Sequence, residues 1–107
     1  MEDITAQELK ERLDSETAPV MLDVREDDEV EICTLLGAIH IPMGEISSRL
    51  TELEEYADEE LVVYCHHGVR SASVKGFLEH HGFTGVRNLM GGIDLYSAST
   101  DEQIPRY

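Results

Sequence analysis

The fold is decided by the stretch Leu61-Val62-Val63-Tyr64-Cys65-His66-His67-Gly68-Val69-Arg70-Ser71. Its first four residues form a short apolar run that ends at the cysteine, which is typical of a buried strand. Gly68 then interrupts the pattern, and from Ser71 to His81 apolar residues recur at helical spacing. Gly82 follows at the position where a left-handed residue commonly ends a helix. The stretch therefore predicts a strand, a tight loop and a helix in immediate succession.

A second local signal lies at the amino terminus. Thr5 can cap a helix, and Glu8, three residues later, completes a capping box. Ile4 and Leu9 are placed for a hydrophobic staple across the same helix start. This helix is predicted to run to about Asp14.

The remaining predicted elements alternate along the chain. They are a strand at 20–24, a loop or weak helix at 25–31, a strand at 38–41, a helix at about 44–56, a strand at 86–89 and a short helix or turn after Gly91-Gly92. This alternation predicts one α/β domain over residues 1–107, with a mainly parallel sheet and helices on both faces. The tail, residues 99–107, is the only segment predicted to be held loosely.

Composition limits the possible functions. The chain has 107 residues, of which 41% are hydrophobic, and this suits a single folded domain. Its 23 acidic and eight basic residues give a net charge of −15, which disfavours binding to nucleic acids or anionic membranes. Solubility, a high-salt cytoplasm and a basic partner would each account for this acidity, and composition does not choose among them.

Two cysteines, Cys33 and Cys65, are too few for a disulfide framework. The amino terminus carries acidic residues where a signal peptide needs basic ones, and no apolar stretch reaches membrane-spanning length. A reducing cytoplasm is therefore the expected location, because a free thiol persists there.

Cys65 stands beyond the carboxyl end of a predicted strand, where parallel sheets bind their ligands. Gly68 permits a positive φ, so the loop can turn its N–H groups inward, and the following helix adds unpaired N–H groups of its own. Arg70 adds a cation. Such surroundings lower the pKa of a thiol and suit a small anion or the terminal sulfur of a persulfide. A cysteine at a strand end is often only a small core residue, but this combination favours a reactive thiol.

Further motifs occur in a fixed order around this loop. They are 22–26 (Leu-Asp-Val-Arg-Glu), 37–42 (Gly-Ala-Ile-His-Ile-Pro), 62–65 with 68–71 (Val-Val-Tyr-Cys with Gly-Val-Arg-Ser), 82–83 with Val86, and 89–94 (Leu-Met-Gly-Gly-Ile-Asp). In this order and spacing the chain resembles a single-domain rhodanese over nearly its whole length. The resemblance implies a rhodanese-like central sheet of about five strands and a double-displacement reaction through an enzyme-bound persulfide. It also implies that the protein needs no metal or organic cofactor.

The resemblance further implies roles for single residues. Cys65 would be the nucleophile that takes sulfur from a small anionic donor such as thiosulfate and passes it to cyanide, a thiol or a protein acceptor. Arg70 would grip the anionic donor, and Asp23 with Arg25 would form a structural ion pair. The substrate cradle, chiefly its backbone groups, would comprise His66, His67, Gly68, Val69, Arg70 and Ser71.

The sequence departs from the family pattern in two places, both outside the loop. Tyr96 stands where many relatives have a tryptophan, and 33–36 (Cys-Thr-Leu-Leu) stand where relatives carry a Gly-His-Ile-Pro element. These departures bear on packing and partner preference more than on activity.

Two other functions of the same fold stay open. Cysteine phosphatases and arsenate reductases have five residues between cysteine and arginine, whereas four separate Cys65 from Arg70, a length that suits a single sulfur atom. A non-catalytic binding module is the other alternative, although such modules usually lack the cysteine.

The histidines beside Cys65 and the second cysteine, Cys33, are further candidates for a functional role. His66 and His67 adjoin Cys65, but three adjacent residues rarely reach one ion and no second ligand pair has zinc-site spacing, so no metal is predicted. Cys33 is expected to be simply buried, and a relay disulfide with Cys65 stays open. The sequence does not specify the physiological donor, the acceptor or the oligomeric state.

Overall fold

The computed structural model describes all 107 residues and contains a four-stranded parallel sheet. Its strands are β1 (Val20–Asp23), β2 (Ile39–His40), β3 (Leu61–Tyr64) and β4 (Val86–Asn88), in the spatial order β2-β1-β3-β4. The central strand β3 pairs with β1, where Leu22 lies opposite Val63, and with β4. Apolar residues pack on both faces of β3, with Leu61 and Val63 in one cluster and Val62 and Tyr64 in the other. This explains why all four residues of β3 are apolar and buried. The predicted α/β architecture with a parallel sheet is confirmed.

Four strands are present where about five were expected. Beyond β4, Ile4 forms an isolated parallel bridge with Leu89. The Ile4 N–H donates to the Asn88 carbonyl at 3.0 Å, and the Ile4 carbonyl accepts from the Met90 N–H at 2.9 Å. The first helix begins at Ala6, so this segment leaves the sheet edge after a single paired residue.

Four α-helices connect or flank the strands: α1 (Ala6–Leu13), α2 (Asp27–Ile32), α3 (Val69–His80) and α4 (Gly92–Ser99). The predicted capping box at α1 is present, since the Glu8 N–H donates to Thr5 Oγ1 at 3.1 Å and the Thr5 N–H donates to Glu8 Oε1 at 3.3 Å. Gly82, just beyond α3, has a φ of +92°, as expected for a left-handed residue at a helix end. None of these helices combines the length and the apolar character that crossing a membrane requires.

The segment predicted as one helix at 44–56 is instead two 3₁₀ helices, Met43–Glu45 and Leu50–Tyr56, separated by turns. In the longer one, Leu50, Leu53 and Tyr56 face the core at a spacing of three, which matches the three residues per turn of a 3₁₀ helix. The prediction of an α-helix is wrong because apolar residues three apart fit either helical period over so short a length.

Two apolar clusters lie on opposite faces of the sheet, because successive strand residues point to opposite sides. The cluster under α3 and the 3₁₀ helices includes Leu22, Leu53, Leu61, Val63, Val74, Leu78 and Val86. The cluster under α1 and α4 includes Ile4, Leu9, Met21, Val62, Leu89, Ile93 and Tyr96. Helices therefore cover both faces, as predicted, and the loops at the carboxyl ends of the strands are left to form a site.

Candidate active site

Cys65 directly follows β3 and begins a tight loop that leads into α3. The loop turns at Gly68, whose φ of +103° strains any residue with a side chain. The start of α4 holds the loop from the other side, because the Ile93 N–H donates to the Cys65 carbonyl at 2.9 Å. At Gly92 a Cβ would collide with the carbonyls of residues 65 and 66, so this close approach requires glycine. Two turns of the chain thus fix the backbone around the cysteine.

Three hydrogen-bond donors of its own loop and helix surround the sulfur of Cys65. The Gly68 N–H lies 3.0 Å from Sγ, the Ser71 N–H 3.4 Å and the Ser71 hydroxyl 3.3 Å. Burial by itself raises the pKa of the Cys65 thiol, but the Ser71 hydroxyl and the amides of Ser71, Gly68 and His67 outweigh it, so the pKa falls below its ordinary value. The arrangement can therefore hold a thiolate at the bottom of a loop of inward N–H groups.

Asn88, the last residue of β4, completes the hydrogen-bond network beneath the loop. Its Oδ1 accepts from the Ser71 hydroxyl at 2.5 Å, and its Nδ2 donates to the Gly68 carbonyl at 3.1 Å. Sequence reasoning placed Asn88 only on a strand and did not assign it to the site. Its contacts with the loop span 17 and 20 positions in the sequence, so no local pattern could have revealed them.

Arg70, the cation expected to grip an anionic donor, is bound by Glu29 of α2. Its two terminal nitrogens, Nη1 and Nη2, donate to Glu29 Oε1 and Oε2 at 2.6 and 2.8 Å. This bidentate pair, assisted by a hydrogen bond from the Tyr107 hydroxyl, lowers the pKa of Glu29 to about 2. The charge of Arg70 is therefore compensated at the rim of the loop, a contact that the charged stretch at 25–31 did not reveal.

Asp23 and Arg25 form a fully buried ion pair behind the loop. Arg25 Nη2 lies 2.6 Å from Asp23 Oδ2, and Arg25 Nε lies 3.0 Å from Asp23 Oδ1. Burial alone lowers the pKa of the Arg25 guanidinium, but its hydrogen bonds to Asp23 and Tyr107 raise that pKa by more than burial lowers it. Arg25 therefore stays charged. Arg25 Nη2 also donates to the Cys33 carbonyl at 2.7 Å, which ties the end of α2 to β1.

The carboxyl-terminal tail folds back over the rim of the loop. The Tyr107 hydroxyl accepts from Arg25 Nη1 at 3.0 Å and donates to Glu29 Oε2 at 2.7 Å. The Tyr107 ring stacks on His66 with the ring centres 3.8 Å apart. Arg106 adds an ion pair with Asp94 at 3.0 Å. Nothing in the composition of residues 99–107 indicated these contacts.

His66 and His67 gather beside Asp94, the third residue of α4. The distance from His66 Nε2 to Asp94 Oδ1 is 4.0 Å, and that from His67 Nε2 to Asp94 Oδ2 is 3.6 Å. Burial, with the neighbouring His67, lowers the pKa of His66. The three side chains are the only group in the molecule that offers a metal ion three ligand atoms within 4.8 Å of one another. The carboxylate of Asp94 is already paired with Arg106, and an ion would have to displace that contact.

The one cavity of appreciable size, about 540 Å³, lies away from Cys65. It opens between α1, α4 and the segment at 34–37, and no residue of the loop at 65–71 lines it. The candidate site is therefore the shallow loop itself rather than a deep pocket.

Comparison with known proteins places this loop and fold in a family. The Rhodanese-like domain matches residues 5–99. The chain is 34% identical over 100 residues to "Putative sulfurtransferase YtwF" of Bacillus subtilis, covering 94% of each protein. It is 33% identical over 99 residues to "Putative sulfur carrier protein YrkF" of the same organism, covering 92% of this chain but only 52% of that protein.

A solved structure gives the same result. The crystal structure of a rhodanese-like domain protein from Staphylococcus aureus superposes with a TM-score of 0.84 at 32% identity, covering 100% of this chain and 99% of that one. The chain therefore belongs to the rhodanese-like domain family.

Proposed function

We propose that the protein is a sulfurtransferase that carries sulfane sulfur as a persulfide on Cys65. The observation that carries the proposal is that three donor groups of Gly68 and Ser71 lie 3.0 to 3.4 Å from the buried Cys65 sulfur. Donors at this distance favour the thiolate, which is the nucleophilic form of cysteine. Family relatives named as a sulfurtransferase and a sulfur carrier give independent support.

In the first half-reaction the Cys65 thiolate attacks the outer sulfur of a donor such as thiosulfate. A sulfur–sulfur bond forms at Cys65 while the sulfur–sulfur bond of thiosulfate breaks, and sulfite leaves with the bonding electron pair. The negative charge of the thiolate passes to the outer sulfur of the persulfide. The inward amides of the loop at 66–70 would stabilise that charge.

In the second half-reaction an acceptor thiolate, or cyanide in an assay, attacks the outer sulfur of the persulfide. The new bond forms at the acceptor, the Cys65 sulfur leaves as the thiolate, and the loop hydrogen bonds receive it again. No metal or organic cofactor takes part in either half-reaction as proposed. A reducing cytoplasm is the compartment in which we expect this cycle to operate.

The contacts of Arg70 favour sulfur transfer over phosphate-ester hydrolysis. A phosphatase of this fold needs a guanidinium aimed at the oxygens of its phosphate, whereas both terminal nitrogens of Arg70 are engaged by Glu29. The loop of four residues between Cys65 and Arg70 is also one shorter than a phosphatase loop. A single sulfur atom needs neither the wider loop nor the free guanidinium.

The proposal is tested by loading the protein with sulfur and measuring its intact mass. The reduced chain is incubated with thiosulfate, freed of donor and examined by intact-mass spectrometry, and we expect one added sulfur that cyanide removes as thiocyanate. The Cys65→Ser variant should gain no sulfur, whereas Cys33→Ser should load like the unaltered chain. Absence of loading from thiosulfate, inorganic polysulfide and glutathione persulfide alike would overturn the proposal. Hydrolysis of a phosphate ester by the unaltered chain but not by Cys65→Ser would favour the phosphatase instead.

A further inference from the structure

The hydroxyl of Ser71 has one hydrogen and two buried acceptors within reach. Asn88 Oδ1 lies 2.5 Å from Ser71 Oγ, and Cys65 Sγ lies 3.3 Å from it. Side chains at all three positions are shielded from solvent, with exposed fractions of 0%, 8% and 1% for residues 71, 88 and 65. Because a hydroxyl donates a single hydrogen bond, Asn88 and the sulfur compete for the same proton.

The amide of Asn88 is held in the orientation that makes it a competitor. Its Nδ2 donates to the Gly68 carbonyl at 3.1 Å, and its main-chain N–H is bound by Asp3 Oδ1 at 3.1 Å. A flipped amide would point Oδ1 at the Gly68 carbonyl and Nδ2 at the Ser71 hydroxyl, so two acceptors would face each other. Asn88 Oδ1 therefore stays directed at Ser71.

We propose that Asn88 is a positioning residue that controls, through Ser71, how strongly the Cys65 sulfur holds its proton. In the thiol form the Cys65 S–H donates to Ser71 Oγ, and the Ser71 hydroxyl donates to Asn88 Oδ1. Both hydrogens and both oxygens of this hydrogen-bonded series then have a partner. In the thiolate form Ser71 turns its hydrogen to the sulfur, and Asn88 Oδ1 loses its donor. A buried acceptor without a donor is costly, so Asn88 opposes the thiolate.

The same competition has a consequence for the sulfur cycle, and here the inference rests on the proposed function. In the persulfide the negative charge lies on the outer sulfur, so the inner sulfur is a weak acceptor. Ser71 can then donate to Asn88 without loss, and both buried groups are satisfied. Asn88 therefore favours the loaded protein over the free thiolate, which helps the protein to retain its sulfur.

A double-mutant cycle on the pKa of Cys65 tests the inference. The pKa is measured from thiolate absorbance against pH in a Cys33→Ser background, for Asn88→Leu, Ser71→Ala and the double variant. With Ser71 present, we expect Asn88→Leu to lower the pKa of Cys65 by about half a pH unit more than it does in the Ser71→Ala background. A difference of this size is the shift that one hydrogen bond of ordinary strength produces. Loss of the Asn88 contact with the Gly68 carbonyl acts equally in both backgrounds, so the cycle removes it.

Equal shifts in the two backgrounds, or a higher pKa only when Ser71 is present, would overturn the inference. Asn88→Ala is measured beside Asn88→Leu, because it removes the same carbonyl without adding bulk near Gly68. Persulfide loading of each variant is followed by intact mass in parallel. If Cys65 takes up sulfur but Asn88 and Ser71 show no coupling, only the inference about Asn88 is refuted. If the unaltered chain takes up no sulfur, the proposed function is refuted.

Discussion

The two cysteines of this protein are similarly buried but differently surrounded. Cys33 is 8% exposed and Cys65 1% exposed, so burial does not separate them. Three donor groups of its loop lie 3.0 to 3.4 Å from the sulfur of Cys65. The sulfur of Cys33, at the end of α2, has one long contact with Arg25 Nη1 at 3.8 Å. Converging donors, rather than depth, distinguish the surroundings of the two sulfurs.

Each cysteine also lies near an arginine that is paired with a carboxylate. Arg25, close to Cys33, is bound by Asp23, and both side chains are fully buried. Arg70, at the loop of Cys65, is bound by Glu29 at the rim, where the two side chains are 31% and 16% exposed. The buried pair is suited to holding the fold together, and the rim pair is suited to exchanging partners.

The largest expected effect is the loss of turnover when Cys65 is replaced. Cys65→Ser should lower thiocyanate formation from thiosulfate and cyanide by at least about 1,000-fold, as expected when a covalent nucleophile is removed. Cys33→Ser should retain most of the activity, because the Cys33 sulfur has only one long contact with a donor, Arg25 Nη1. Activity that survives in Cys65→Ser would refute the comparison, and activity lost in Cys33→Ser would point to a disulfide relay.

The next largest effect concerns stability around Cys33. Asp23→Ala leaves the Arg25 guanidinium buried without its carboxylate, and we expect the free energy of unfolding to fall by about 3–5 kcal/mol. Urea unfolding followed by circular dichroism measures this change. The matched control is Glu52→Ala, which breaks the exposed pair with Arg49 and should cost less than about 1 kcal/mol. Equal effects of the two substitutions would mean that the buried pair has no special structural role.

Local signals in the sequence predicted a large part of this molecule. The capping box of Thr5 and Glu8 satisfies itself within four residues, so α1 could be placed without tertiary information. The strand, glycine turn and helix around Cys65 were equally local, because an apolar run, a glycine and helical spacing each have a short-range cause. The same signals do not separate the 3₁₀ helix at Leu50–Tyr56 from an α-helix, since a spacing of three fits both periods.

The surroundings of the loop could not be predicted in the same way. Asn88 reaches Ser71 from β4, Glu29 reaches Arg70 from α2, and Tyr107 reaches His66 from the tail. These contacts join positions 17 to 41 residues apart, and propensity and periodicity carry no information over such distances. Fold topology alone brings them to one edge of the sheet.

A smaller effect is expected in the pH dependence of stability. Arg70 lowers the pKa of Glu29 to about 2 in the folded protein, below the 4.5 of the unconstrained side chain. The pair therefore contributes stability above about pH 4.5, and this contribution is lost as the pH falls towards 2. At pH 5.5 we expect Glu29→Gln to be less stable than the unaltered chain by on the order of 2 kcal/mol. Urea unfolding at pH 5.5, 4 and 3 should show this difference narrowing, and a constant difference would contradict the ion pair.

The smallest effect tests whether the rim arginine can exchange partners. In Glu29→Gln the charge of Arg70 is no longer neutralised, so the thiosulfate dianion should bind more readily to the loop of Cys65. The pair of charges in question is Arg70 and the bound thiosulfate. An exposed pair about 4 Å apart contributes about 1 kcal/mol in water, which corresponds to a KM for thiosulfate roughly fivefold lower. The steady-state KM is measured at low and at high salt, where screening should reduce the difference.

The matched control for this experiment is Glu31→Gln, which removes the same charge from an exposed position on the same helix. Because Glu31 has no contact with Arg70, its replacement reports only the change in net charge. A larger decrease of KM in Glu29→Gln than in Glu31→Gln would mean that Glu29 keeps Arg70 from binding anionic donors. Equal shifts would mean that the pair of Glu29 and Arg70 has no influence on donor binding. A higher KM in Glu29→Gln would mean that Glu29 orients Arg70 towards the donor, and the rim pair would then be as structural as the buried pair beside Cys33.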